Sequence, residues 1–214
     1  MENLHDYRKV YDKSQLLENQ VRENPMQQFR DWFLEAEENP NISEANAVSV
    51  STLEKDGCPR TRMVLLKSYD WDGFVFYTNY ESRKGKAIEQ THKACLHFFW
   101  PSLERQIIIK ADLERVPENI SDGYFHSRPK GSQLGAKVSP QSQVIPSREF
   151  LEEKLKDLEV EFEGKEVPRP ENWGGYLAKP YEIEFWQGRP NRLHDRILYE
   201  LQEDFDWKIS RLAP

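Results

Sequence analysis

The sequence predicts a mainly β protein with flanking helices, built as one β-barrel domain, and three observations carry that reading. Between residues 47 and 116 five short segments read as strands at close intervals, joined by tight turns. That rhythm suits a barrel or sandwich better than a parallel α/β sheet. Most helical patterns lie outside this block. Hydrophobic residues make up only 37% of the 214, yet 6 Trp, 9 Tyr and 11 Phe supply a large aromatic core.

Residues 3–14 read as a short helix or a mobile arm, with Tyr7, Val10 and Tyr11 on one side. Asn24-Pro25 opens a stronger helix, Asn as N-cap and Pro at the first helical position. Met26, Phe29, Trp32, Phe33 and Ala36 follow at helical spacing until Asn39-Pro40. Residues 47–53 alternate, Lys55-Asp56-Gly57 turns the chain, and 60–68 return. Asp70-Trp71-Asp72-Gly73 turns again into a strand over 74–79, and Ser82 caps a helix that begins Arg83-Lys84. Strands follow over 94–100 and 103–116, broken at Pro101. Pro117 starts a helix carrying Tyr124 and Phe125, interrupted at 127–132. Ser147 caps the longest helix, with an apolar stripe of Phe150, Leu151, Leu155, Leu158 and Phe162. After a Pro-rich loop, strands return at 173–177, in a hairpin over 183–196, and at 207–211.

A net charge of −7 argues against a general nucleic-acid or membrane-surface binder, so clustered basic residues point to small anions. Cys58 and Cys95 have no metal-ligand or disulfide-framework spacing. None of His5, His92, His97, His126 and His194 forms a zincin pair, so no metal is expected. GxSxG, P-loop and GxGxxG motifs are absent. With no apolar leader and no run of 18 apolar residues, a soluble cytoplasmic protein is expected.

Four groups of residues could carry chemistry. In the hairpin, Arg192, His194 and Arg196 fall on one face of the returning strand, with Leu193 and Asp195 on the other, after a strand that includes Trp186. Arg62 and Lys67 bracket Met63-Val64-Leu65-Leu66, an apolar run that reads as a buried strand; five residues apart, they address different anions unless a bulge intervenes. Arg83 and Lys84 stand at a helix start, where the dipole disfavours cations, so they suit phosphate ligands better than helix stabilisers. Tyr124, Arg128 and Ser132, spaced by four across a Pro129 break, form a plausible phosphate cup. Gln106, Gln141 and Ser142 could read the edge of a heterocycle, though their spacing alone says nothing.

With these segments laid out, the chain resembles the pyridoxine/pyridoxamine 5′-phosphate oxidase family. The matching blocks are Arg62-Met-Val-Leu-Leu-Lys67, Phe76-Tyr-Thr-Asn79, Ser82-Arg-Lys84, Leu103-Glu-Arg-Gln106, Tyr124-Phe-His-Ser-Arg-Pro129, Ser132-Gln-Leu-Gly135, Gln141-Ser142 and Trp173-Gly-Gly175. Ile183-Glu-Phe-Trp-Gln-Gly188, Arg192-Leu-His-Asp-Arg196 and the terminal Arg211-Leu-Ala-Pro214 complete them. The resemblance implies a homodimeric, FMN-binding split β-barrel with FMN at the subunit interface. It implies a lid over residues 1–20 and one domain over 21–214, whose 173–214 region carries dimerisation and the substrate hairpin.

Carried over residue by residue, Arg62, Arg83 and Lys84 would hold the FMN phosphate. Met63, Val64, Leu65, Leu66, Lys67, Tyr77, Thr78, Gln106, Gln141, Ser142, Trp186 and Arg196 would contact the rest of the cofactor. Lys67, Tyr124, Arg128 and Ser132 would bind the substrate phosphate, and Arg192, Leu193 and His194 the pyridine ring, Arg192 and His194 as catalytic residues. Arg8 and Tyr11 would cover it, with Glu44 a further pocket residue. Lys137 and Leu177 depart from the family pattern, where Trp and Arg are common, without removing a ligand. The implied reaction oxidises pyridoxine or pyridoxamine 5′-phosphate to pyridoxal 5′-phosphate with dioxygen, releasing hydrogen peroxide. Arg192 would orient, because guanidinium hardly deprotonates, and His194 would orient or accept a proton. A non-catalytic FMN or pyridoxal-phosphate binder and a flavin reductase are the alternatives; neither needs both the hairpin donors and the second phosphate set.

Overall fold

The computed structural model describes residues 3–214; Met1 and Glu2, the start of the expected arm, lie outside the described residues. Helix α1 (Pro25–Glu38) begins as its sequence dictates, the Asn24 side chain accepting from the Met26 amide. Strands β1 (Ala47–Leu53), β2 (Pro59–Leu65), β3 (Ser68–Tyr69) and β4 (Phe74–Asn79) follow. Then come α2 (Arg83–Thr91), β5 (Lys93–Trp100) and β6 (Arg105–Arg115), and three helices, α3 (Glu118–Ser127), α4 (Lys130–Val138) and α5 (Arg148–Glu161). The chain closes with β7 (Trp173–Gln187), a single 3-10 turn (Pro190–Arg192), β8 (Asp195–Leu201) and β9 (Trp207–Arg211).

All strand pairs are antiparallel, in one sheet ordered β2-β1-β5-β6-β7-β4-β3, with β8 on β7 and β9 on β8. The 15-residue β7 is the branch point. It pairs with β6 along its length, with β4 through its first half and with β8 through its second. Separate strands at 173–177 and 183–188 were expected; one strand runs through Pro180. The register slips beside Pro180, leaving Tyr181 without a partner on β6, and a bulge is where a missing N–H costs no ladder bond.

One face of the curled sheet is packed by α1. Phe29 is fully buried and touches Phe33, Tyr69, Phe74 and Phe98 at ring separations of 4.8–5.6 Å. A second core, Phe125, Leu134, Phe162, Val167 and Trp173, lies beneath α3, α4 and α5.

Two expectations fail here. Residues 3–14 form no helix. Only the end of the segment has its backbone tied to the β5–β6 turn, where the Asp12 and Lys13 amides bond the Glu104 side chain rather than carbonyls four residues back. The strand carrying Arg62 is not buried either. β2 is a sheet edge, Met63 is 61% exposed, and the strand stops at Leu65, so no regular parity extends to Lys67.

Candidate active site

A cleft of about 470 Å³ is lined by Met63, Val64, Leu65 and Lys67 from the end of β2, by Tyr77 and Thr78 of β4, and by Lys84 of α2. Its other wall is Tyr124, Arg128, Pro129, Ser132, Gln141 and Trp173. Local sequence explains each placement. Ser82 caps α2 by accepting from the Gly85 amide, as its position predicts. Gly85 is required there, because a Cβ would lie 2.1 Å from the Tyr80 carbonyl oxygen. Pro129 ends α3 and starts α4, so Tyr124, Arg128 and Ser132 converge from two helices instead of lining one.

The electrostatics of this cleft call for an anion. No carboxylate stands among its lining residues. Lys84 Nζ bonds only neutral oxygens, Thr78 Oγ1 and Gln141 Oε1 at 2.8 Å and Ser82 Oγ at 3.5 Å. Burial, then the nearby Arg62 guanidinium, pull its pKa down to about 8. Burial also lowers Arg62 and Arg128 from the ordinary arginine value. Arg62 stands outside the lining, near Lys84 and within the field of Glu54; its Nη1 bonds Val50 O and Thr52 Oγ1, and its Nη2 is buried without a partner, as is Nη1 of Arg128 in the lining itself. Unfilled buried guanidinium donors are costly alone and suit phosphate oxygens. Arg128 is further fixed over Trp173, 4.7 Å from the ring. Tyr77 and Tyr124 stack at 3.9 Å, and Trp173 lies nearly parallel to both. Planar walls beside unpaired cations fit a phosphorylated aromatic ligand such as FMN or a pyridine phosphate.

A second group forms on the outer face of the sheet. Phe99, Gln106, Trp186 and Arg196 are consecutive cross-strand partners on β5, β6, β7 and β8, so they stand in one row. Arg196 is held by a bidentate pair with Glu184 at 2.7 and 2.9 Å, and Gln106 by His97 Nε2 at 3.0 Å. Glu184 and His97 are supporting residues that only the strand register could reveal.

The hairpin differs from expectation. Only Arg196 lies in β8; Arg192 and His194 precede it, so the three do not share strand parity. Asn191 and Arg192 take φ of 57° and 62°, a left-handed pair that swings the loop out of sheet geometry. His194 packs against Trp186 at 4.6 Å with the rings tilted by 42°, and Tyr11 packs edge-on against both at 5.8 Å. The Arg189 amide donates to His194 Nδ1 at 3.1 Å, which places the neutral ring's proton on Nε2. Burial, then the Arg192 charge, lowers the His194 pKa, which favours the neutral ring.

Other expected residues stand apart from the cleft lining. Leu66 is turned into the core, its amide and carbonyl both bonded to Asn46. Arg8, Arg83, Ser142, Arg192 and Leu193 are exposed. Glu44 opens on a separate hollow with Glu37, Ser43 and Asn46. The cleft and the hairpin group are also far apart along the sheet. Tyr77 pairs with Gly175, and Trp186 lies 11 residues further up β7 (186 − 175), about 36 Å of strand.

Residues 34–160 match the family described as pyridoxamine 5′-phosphate oxidase, and residues 173–214 match the pyridoxine 5′-phosphate oxidase C-terminal dimerisation region. The chain is 59% identical over 214 residues to the pyridoxine/pyridoxamine 5′-phosphate oxidase of Flavobacterium psychrophilum, covering 100% of both chains. The enzyme of that name from Salinibacter ruber is 49% identical over 216 residues, again with 100% of both covered. Among solved structures, PhzG from Burkholderia lata 383, in complex with tetrahydrophenazine-1-carboxylic acid, matches with a TM-score of 0.86 at 28% identity, covering 93% of this chain and 98% of that one. A pyridoxamine 5′-phosphate oxidase-related, FMN binding protein from Nostoc punctiforme shares the fold, with a TM-score of 0.69 at 16% identity over 89% and 98% of the chains. Its sequence, its split-barrel fold and the anion-seeking cleft agree: this chain belongs to the pyridoxine/pyridoxamine 5′-phosphate oxidase family of oxidoreductases.

Proposed function

We propose that the protein oxidises pyridoxine 5′-phosphate and pyridoxamine 5′-phosphate to pyridoxal 5′-phosphate, using FMN and dioxygen and releasing hydrogen peroxide. The observation that carries this reading is the cleft itself: Lys67, Lys84 and Arg128 in its lining, a buried, unpaired guanidinium nitrogen on Arg128, and no carboxylate in that lining to answer them. Arg62, Arg83 and Lys84 hold the FMN phosphate; Lys67, Tyr124, Arg128 and Ser132 hold that of the substrate. FMN, when bound, supplies the redox chemistry, a hydride acceptor that dioxygen reoxidises.

The chain's own residues bind and orient. Two anchored phosphates fix two rings against each other and turn encounter into attack geometry. Gln106, Trp186 and Arg196 meet the flavin, while Arg192 and His194 meet the pyridine ring. His194 enters as a neutral imidazole donating from Nε2, because Nδ1 is already used by the Arg189 amide. That favours the orienting role over proton acceptance.

Separation of the cleft and hairpin groups within one chain supports a homodimer in which each site takes its cleft from one subunit and its hairpin from the other. The match of residues 173–214 to a dimerisation region points the same way. The PhzG likeness offers a phenazine-type substrate as the competing reading, but identity to the named oxidases is about twice as high. Purified protein should be yellow or take up FMN, and should convert pyridoxamine phosphate in air to aldehyde and peroxide. A colourless protein that cannot be reconstituted refutes the reading.

A further inference from the structure

We infer that Glu104, at the β5–β6 turn, is the positioning residue that seats the N-terminal arm on the active-site hairpin, with Lys9 as the charge that closes the arm. The inference rests on the reading of that hairpin as part of the site.

Glu104 is 0% exposed and sits at a φ of 57°. Its carbonyl accepts from the Gly188 amide at 2.8 Å, tying the turn to the end of β7. Its Oε2 accepts from the Asp12 and Lys13 amides at 3.0 and 3.1 Å. These bonds fix the backbone immediately after Tyr11, whose ring lies on Trp186 and His194. The chain beyond is pinned too: the Arg189 guanidinium donates to Ser14 O, and the Leu16 amide donates to Asp195. Before Tyr11, residues 3–10 are exposed.

Two further observations make this a fitted seat. Glu104 Oε1 is buried without a hydrogen-bond partner, and its nearest cation is Lys9 Nζ at 3.5 Å, on a side chain still 56% exposed. A small inward movement of Lys9 fills that oxygen and brings the neighbouring Arg8 with it. Gly188 is the second. A Cβ there would stand 2.8 Å from Tyr11 Cβ and Cγ and 3.1 Å from Glu104 Cβ, so only glycine lets the arm cross the end of β7. The hinge therefore falls between Val10 and Tyr11: fixed on the Tyr11 side, closing on the Lys9 side.

The test uses the full-length holoprotein with Glu104→Gln, Gly188→Ala and Lys9→Met, the last at an exposed position that cannot upset folding. Amide hydrogen exchange at Asp12 and Lys13 is read without turnover, so it stands or falls independently of the proposed reaction. Gly188→Ala should speed exchange at both amides about tenfold or more, while exchange in β5 and β6 stays fixed. Lys9→Met should leave those amides protected yet raise KM for pyridoxamine phosphate about tenfold, with kcat changed far less. Combined with Glu104→Gln it should add nothing further, since both remove one pair. Unchanged exchange in Gly188→Ala, or fully additive KM effects, overturns the inference. So does a Lys9→Met loss confined to kcat.

Discussion

Lys84 offers a prediction whose size follows from the cleft. In the free protein its ammonium has a pKa of about 8 instead of 10.5, because it is half-buried beside Arg62 with only neutral oxygens for company. A phosphate dianion that pairs with it restores the ordinary value. Binding must then take up a proton wherever free Lys84 is neutral. With pKa values of about 8 free and about 10.5 bound, the association constant falls about tenfold between about pH 7 and about pH 9, or ~1.4 kcal/mol. The phosphate contributes nothing to that slope, since its second ionisation lies near about pH 6. Solvent around the partly open ammonium makes tenfold a ceiling. Stability of the free protein runs in the opposite direction. Unfolded Lys84 keeps its proton up to about 10.5, so the free fold gains stability as pH rises from about 8 towards that value. The assay is titration of apoprotein with FMN by flavin fluorescence at both pH values, riboflavin serving as the phosphate-free control. Lys84→Met should flatten the FMN profile, and riboflavin should show none. An equally steep profile in Lys84→Met refutes the assignment.

Arg192→Leu should cut turnover far more than FMN content, measured as kcat against flavin absorbance per chain; normal turnover would remove this residue from the substrate. Arg128→Met removes a buried unpaired donor and should raise KM for pyridoxamine phosphate about tenfold to a hundredfold, the worth of a charge-assisted hydrogen bond at ~1.5–3 kcal/mol. Any turnover of unphosphorylated pyridoxamine should not change. Phe29→Ala opens a cavity among four aromatic rings and should cost about 3–5 kcal/mol by denaturant unfolding, with FMN affinity kept in the folded fraction.

The fold was legible wherever local chemistry decides it. Asn24-Pro25, Ser82 and Ser147 mark helix starts that the structure reproduces, each side chain accepting from a first-turn amide. Pro129 marks the break between α3 and α4 that lets Tyr124, Arg128 and Ser132 converge. What escaped was set by long-range register. β7 continues through Pro180 because the slip in its pairing with β6 falls there, which no local pattern shows. Arg192 and His194 read as strand residues by alternation, but two successive left-handed residues delay β8 until Asp195. Gln106, Trp186 and Arg196 align only once β6, β7 and β8 are paired. Glu104 falls in the matching block 103–106, but its hold on the arm was not legible there, since the amides it bonds lie 92 and 91 residues away in sequence.

The central claim is a site whose phosphate cleft comes from one subunit and whose hairpin comes from the other. Heterodimers of Arg128→Met and Arg192→Leu chains, purified through two different tags and loaded with FMN, test it directly by aerobic turnover of pyridoxamine phosphate. One of their two sites gathers both substitutions and the other gathers neither, so activity should return to about half that of the unaltered dimer. Heterodimers no more active than the two parent variants would place the whole site within a single chain and contradict the account.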